Sequence, residues 1–134
     1  MDPRRAVLPY VVACGLASLL HHVHNAEFLA DYPNMPPWLT PTRVYAAWFA
    51  VTAVGVAGYG LLRAGSRRAG LAGLAGYAAL GFAGLDHYAV APLRSHGAMM
   101  NLTIGLEVAS ASLLLLVVAR TLIQQPRIQR RRGA

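Results

Sequence analysis

The sequence is short of cysteine and of charge. Cys14 is the single cysteine, so neither an internal disulfide nor a cluster of thiolate metal ligands can form within one chain. Charged residues make up only 13% of the 134 residues, well below the roughly 25% of soluble proteins. Together with the 56% of hydrophobic residues, this shortage predicts one integral membrane domain over 1–134, with Cys14 as a small buried apolar residue.

Lysine is absent and acidic residues are few. All 12 basic residues are arginines, against 5 acids, which gives a formal net charge of +7. Such a charge can indicate a nucleic-acid-binding protein, but these arginines lie mostly at the ends of apolar segments. Membrane topology and anionic lipid headgroups explain that placement better, so we expect membrane lipids and no nucleic acid as partners.

Four apolar segments are each long enough to cross a bilayer, for which about 20 residues suffice. They cover 6–30, 42–64, 69–92 and 98–122, and a basic tail follows at 123–134. The prolines between Pro33 and Pro41 end the first segment, and the Gln124-Gln125-Pro126 sequence ends the fourth. Short connections favour antiparallel neighbours, so the predicted fold is an all-α, antiparallel four-helix bundle in the membrane.

Two further patterns concern packing and the membrane surface. Ala69 with Gly73, and Ala72 with Gly76, are small residues four apart, a spacing that permits close approach of membrane helices. Tyr32, in the proline-rich connection, is typical of an aromatic belt at headgroup level.

The distribution of arginine predicts the orientation. Ten arginines fall on the side that holds both termini, and only Arg43 and Arg94 fall on the other. Because positive residues in short loops stay in the cytoplasm, we expect a multi-pass protein of the cell membrane with both termini cytoplasmic. All acids except Asp2 lie in the opposite, extracytoplasmic half.

A polar stripe interrupts the end of the first apolar segment. His21, His24 and Glu27 follow one another by three residues, which places them on one helix face. Ionisable side chains within a membrane segment are costly and therefore usually functional. His22 lies about 100° round the helix from His21, so we expect it beside the stripe rather than in it.

Further polar residues are predicted on the same side of the membrane. They are Asn25, Asp86, His87, His96, Asn101 and Glu107. At a helix rise of about 1.5 Å per residue, His21 and Glu107 both lie about 13 Å from the outer end of their segments. The sequence therefore predicts one polar cavity that runs from the extracytoplasmic side to the level of His21 and Glu107.

This set of side chains suits a metal-dependent enzyme. Imidazole and carboxylate ligands without thiolate fit zinc, iron or manganese, and the membrane depth favours a small hydrophobic or lipid-like substrate. The predicted metal ligands are His21, His24, Glu27 and His87. The predicted catalytic residues are Glu107 and Asp86, with His22, Asn25, His96 and Asn101 in binding or supporting roles.

Other functions fit the same residues. Glu107 could act as an acid or proton carrier without metal, in a binding or proton-coupled transport module; transport would require a homo-oligomer, because one chain has too few helices. The polar groups could also serve only as interhelical hydrogen bonds. Haem held by two histidines is a further alternative, although the sequence contains no haem attachment motif.

The segment His24-Asn25-Ala26-Glu27-Phe28 resembles the signature of the HXXEE family. His24 and Glu27 match that signature, and Phe28 stands where the family has a second glutamate. Members of the family are small multi-helix membrane proteins of unknown function suspected of metal-dependent chemistry. The resemblance thus implies a membrane protein with His24 and Glu27 at a metal site.

Overall fold

Helices make up the protein, with no strand among the residues that the structure describes. The computed structural model describes residues 2–132, with side chains as far as residue 123. Four stretches are long and apolar enough to cross a membrane, and they agree with the four predicted segments: Pro3–Glu27, Pro41–Arg63, Arg67–Val90 and Ala98–Ile123. The protein is therefore an all-helical bundle with the composition of a multi-pass membrane protein.

Helix α1, Pro3–Glu27, begins at a proline with a side-chain cap. The Asp2 carboxylate accepts a hydrogen bond from the backbone N–H of Arg4 at 3.0 Å, and Pro3 has no N–H that would need a partner. Pro9 lies inside the helix. The helix ends at Glu27, and a short 3₁₀ turn at Leu29–Asp31 leads into the proline-rich connection.

Helix α2, Pro41–Arg63, and helix α3, Arg67–Leu80, pack closely through glycine. A Cβ added at Gly73 would stand 3.0 Å from the Cα of Gly58, and one at Gly70 would stand 2.5 Å from the backbone nitrogen of Leu62. A Cβ at Gly76 would have no neighbour within 4 Å among the described residues, apart from the backbone of its own helix. The close approach predicted from small residues therefore occurs at Gly70 and Gly73, and not at Gly76.

The sequence predicts one continuous helix over 69–92 for the third membrane segment, but the structure shows a broken one. Helix α3 ends at Leu80, a 3₁₀ turn covers Ala83–Leu85, and the short helix α4 covers Asp86–Val90. Gly81 and Gly84 let this break lie against the fourth segment: a Cβ at Gly81 would stand 2.7 Å from Ala111 Cβ. The break brings the backbone close to the centre of the bundle.

Helix α5, Ala98–Arg132, continues beyond the point where the sequence predicts its end, since Pro126 lies within it. The side chains of the basic tail lie outside the described residues. A third 3₁₀ turn, Leu93–Ser95, precedes α5.

Each long helix packs against two others. Helix α1 contacts α2 and α5, and α3 contacts the same two helices. Cys14 is buried with Leu74, Tyr77 and Leu114 in the central core, as its apolar character predicts. Large apolar side chains such as Leu16 and Val56 are exposed on the outer faces, by 63% and 68%. In water such a surface would be unfavourable, whereas lipid accommodates it.

Candidate functional site

Glu107 and two neighbouring histidines form the centre of the polar region. His21 Nε2 on α1 lies 3.7 Å from Glu107 Oε2 on α5, and His22 Nδ1 lies 3.8 Å from Glu107 Oε1. Glu107 is 2% exposed and His21 is 3% exposed. Both separations exceed an ordinary hydrogen bond by about half an ångström, so a small movement of either side chain would close each contact.

His22 joins this cluster although its position round the helix places it beside the stripe. The Glu107 carboxylate faces the groove between the two imidazoles, and each of its oxygens faces one of them. The Nδ1 of His22 lies 2.9 Å from the backbone oxygen of Ser18, which can only accept. This contact assigns the proton to Nδ1 and leaves Nε2 as the basic nitrogen.

A cavity of about 200 Å³ opens beside the cluster. Its inner wall includes His21, His22, His87 and Glu107, and Gly84 from the break in the third segment also lines it. Residues of its rim are exposed on the outside of the bundle, namely Ala47, Leu80 and Ala83. The cavity therefore opens sideways, towards the surface that apolar side chains cover.

His87 on α4 is buried next to the same cluster. Its ring centroid lies 5.4 Å from that of His21 and 5.0 Å from that of Tyr32. The amide nitrogen of Asn25 lies 3.2 Å from His87 Nε2. The structure thus brings His21, His22, Asn25, His87 and Glu107 together.

His24 lies at the outer edge of this group. Its Nδ1 is 2.9 Å from the hydroxyl oxygen of Tyr32. Tyr32 is only 3% exposed, so it packs inside the protein although its position in the connection suggests an anchor at the membrane surface. Burial raises the pKa of Tyr32 to about 12, partly opposed by the Thr103 hydroxyl. Sequence reasoning gave Tyr32 no part in the site, and no spacing signal reveals it, because a turn places it there.

The remaining predicted site residues lie outside the cluster. Glu27 is exposed and accepts a hydrogen bond from the Tyr45 hydroxyl at 2.7 Å, and Asp86 is exposed. Asn101 accepts from the Tyr88 hydroxyl at 2.8 Å and donates to backbone oxygens. His96 is buried, with its Nδ1 3.2 Å from the backbone oxygen of Pro92.

The predicted metal ligands are therefore only partly gathered. His21 and His87 lie in the cluster, whereas His24 contacts Tyr32 and Glu27 contacts Tyr45. Within residues 2–132, no group of three or more histidine, cysteine, aspartate or glutamate side chains is arranged to hold a metal ion. The structure gives the metal-binding prediction no support.

Comparisons with known proteins add no assignment. No family model matches the chain, and no curated protein and no solved structure matches it either.

Proposed function

We propose that the chain is an antiparallel four-helix bundle in the cell membrane, with both termini cytoplasmic. Asp2 and Arg4, at the start of α1, line a surface cavity with Leu62 and Arg67, on either side of the turn between α2 and α3. At the opposite end, Tyr45 near the start of α2 bonds Glu27 at the end of α1. These contacts support the antiparallel order.

The orientation rests on the arginines. Ten lie on the side of the termini and two on the other, and the larger number marks the cytoplasmic side. In this orientation the Glu107 cluster faces the extracytoplasmic half of the bilayer.

Within this membrane frame, the protein is an enzyme that acts on a hydrophobic or lipid-like molecule by acid–base catalysis. The observation that best supports this proposal is that both oxygens of the buried Glu107 face imidazole nitrogens, at 3.7 and 3.8 Å, beside a cavity that opens sideways. A carboxyl group and two imidazoles are the groups that most often remove and return protons in enzymes. A polar substrate group in the cavity beside them would have a proton donor and a proton acceptor within reach.

The size of the cavity limits the substrate. Pockets that enclose a whole drug-sized ligand measure about 300–1,000 Å³, whereas this cavity measures about 200 Å³. It takes the polar end of a lipid-like molecule, such as a hydroxyl or carbonyl group, while the apolar part stays in the bilayer. The exposed Ala47, Leu80 and Ala83 at its rim leave such a path open.

A metal-dependent form of this function needs a divalent ion, zinc, iron or manganese, in the same cavity. The 3.7 Å between His21 Nε2 and Glu107 Oε2 is close to the roughly 3.4 Å between two ligands of tetrahedral zinc. The described residues provide no third ligand there without side-chain movement, so the acid–base form is favoured. The metal content of protein purified without chelator distinguishes the two forms. A stoichiometric metal ion that is lost in Glu107→Gln would support the metal-dependent form and contradict the acid–base form.

Comparative lipid analysis tests the function itself. Membranes from cells that express the wild-type chain, Glu107→Gln or Glu27→Gln are extracted and compared by mass spectrometry at equal protein amounts. We expect at least one lipid class to change with the wild type and with Glu27→Gln, because Glu27 lies outside the cluster, but not with Glu107→Gln. Identical lipid compositions for the wild type and Glu107→Gln would contradict the enzyme and favour transport or a purely structural network.

A further inference from the structure

Four buried polar atoms between Glu107 and the outer end of the bundle have no hydrogen-bond partner among the side chains and backbone groups that the structure describes. They are His21 Nδ1, Asn25 Oδ1, His87 Nδ1 and His96 Nε2. A buried polar atom without a partner destabilises the folded protein, and ordered water normally provides the missing bond. Four such atoms in one group of neighbouring side chains indicate that water molecules belong between them.

His87 lies in the middle of this group. Its ring centroid lies 5.0 Å from that of Tyr32 and 5.4 Å from that of His21. The Asn25 amide nitrogen, 3.2 Å from His87 Nε2, donates to it. This assigns the His87 proton to Nδ1, the atom without a partner, where it can orient a water molecule.

The outer end of the group reaches the surface at His24. This half-buried side chain lines a cavity of about 300 Å³ with Asp31 and Met99. The Nδ1 atom of His24 lies 2.9 Å from the Tyr32 hydroxyl oxygen. The Tyr32 hydroxyl is protonated at neutral pH, and burial raises its pKa further, to about 12. It can therefore accept one hydrogen bond while it donates another.

We propose that His24, Tyr32 and His21 form a proton path from the outer surface to Glu107, with His87 as the positioning residue for its water. The path deepens the proposed function and rests on it for its purpose, since an acid–base site has to exchange its proton between turnovers. It assigns roles to Tyr32 and His87 that the Glu107 cluster alone does not require.

Each transfer moves one proton from a donor to an acceptor. A proton from the outer water enters at His24 Nε2, and the proton on Nδ1 passes to the Tyr32 hydroxyl. Tyr32 releases its own proton to a water molecule held by His87 Nδ1–H, and that water passes a proton to His21 Nδ1. His21 then gives its Nε2 proton to the Glu107 carboxylate, which becomes a carboxylic acid. After one passage the His24 and His21 rings carry their protons on the opposite nitrogens, so both rings return to their starting tautomers, and the Tyr32 hydroxyl rotates back, before the next proton passes.

Hydrogen–deuterium exchange of the Glu107 carboxyl group measures this path directly. The infrared band of the protonated group is identified by its loss in Glu107→Gln, and its exchange is followed after transfer of reconstituted protein to heavy water. We expect exchange in Tyr32→Phe to be about tenfold slower, which corresponds to the loss of one typical hydrogen bond. His87→Phe, which removes the group that holds the water, should slow exchange to a similar extent.

Tyr45→Phe is the matched control, because it too removes one hydroxyl that bonds an ionisable side chain, here Glu27, but outside the path. It should exchange at the wild-type rate. Wild-type exchange in both Tyr32→Phe and His87→Phe would overturn the path. Slow exchange in these variants together with unchanged lipid compositions would support the path and contradict the enzymatic function, so the two failures can be distinguished.

Discussion

Gly84 lies against the carboxylate of Glu107. A Cβ added at Gly84 would stand 3.1 Å from Glu107 Oε2 and 3.9 Å from His21 Nε2. The break in the third membrane segment places this glycine at the wall of the cavity. The irregular backbone thus allows the carboxylate to occupy its position between the two histidines.

Gly84→Ala should therefore displace the Glu107 carboxylate. We expect a loss of about 1 kcal/mol in the free energy of unfolding, because an added methyl group in a packed site forces its neighbours to move. The change in lipid composition that the wild-type chain causes should also become smaller in Gly84→Ala. Gly76→Ala is the control, because no described atom beyond the adjacent backbone of its own helix lies within 4 Å of the new Cβ, and it should keep or raise stability by up to about 1 kcal/mol. Equal stability of the two variants would contradict the close contact at Gly84.

Gly70→Ala should be the more damaging change, since it acts on the contact between α2 and α3. The new Cβ would stand 2.5 Å from the backbone nitrogen and 2.7 Å from the Cα of Leu62, and backbone atoms cannot rotate away as a side chain can. We expect a loss of about 1–3 kcal/mol in the free energy of unfolding, measured by denaturation in detergent micelles. Gly60→Ala on α2 has open space around its Cβ and should be tolerated.

The four membrane segments were predictable because length and apolar composition alone determine which stretches can cross a bilayer. The break after Leu80 was not, because Gly81 and Gly84 also occur in continuous membrane helices, and only their contacts with Ala111 and Glu107 explain the irregular backbone. The helix that passes Pro126 was missed for a related reason: proline disfavours a helix without excluding it.

The candidate site was predicted in part for similar physical reasons. Helix rise alone placed His21 and Glu107 at one level, and they meet. Helical spacing also placed His24 and Glu27 on the same stripe, but neighbouring hydroxyl groups bond each of them instead. Those partners, Tyr32 and Tyr45, lie beyond the first helix, so the pattern within that helix could not reveal them.

The buried phenol of Tyr32 predicts a pH dependence of stability. Its pKa is raised from 10.0 to about 12 by burial, so the unfolded chain ionises at this residue before the folded protein does. The folded protein then holds more protons between pH 10 and pH 12, and this contribution to stability is fully present below pH 10 and is lost as the pH rises towards 12. Denaturation at several pH values between 10 and 12 should show a smaller loss of the free energy of unfolding in Tyr32→Phe than in the wild type. If the free energy of unfolding falls equally with pH in both proteins, the pKa of Tyr32 is not raised by burial.

Glu107 distinguishes a chemical site from a structural one most sharply. Its oxygens stand 3.7 and 3.8 Å from the two imidazoles, so neither contact has the length of a strong ion pair, and the carboxylate still bears the cost of burial. Glu107→Gln keeps the shape and the hydrogen-bonding capacity of the side chain and should change the free energy of unfolding by no more than about 1 kcal/mol, the net worth of one ordinary hydrogen bond. Glu107→Leu should be equally stable or more stable, because it removes a buried ionisable group. A loss of about 2 kcal/mol or more in both variants would show that Glu107 ties the helices together. If stability is kept while the lipid change disappears, the carboxylate serves chemistry and not the fold.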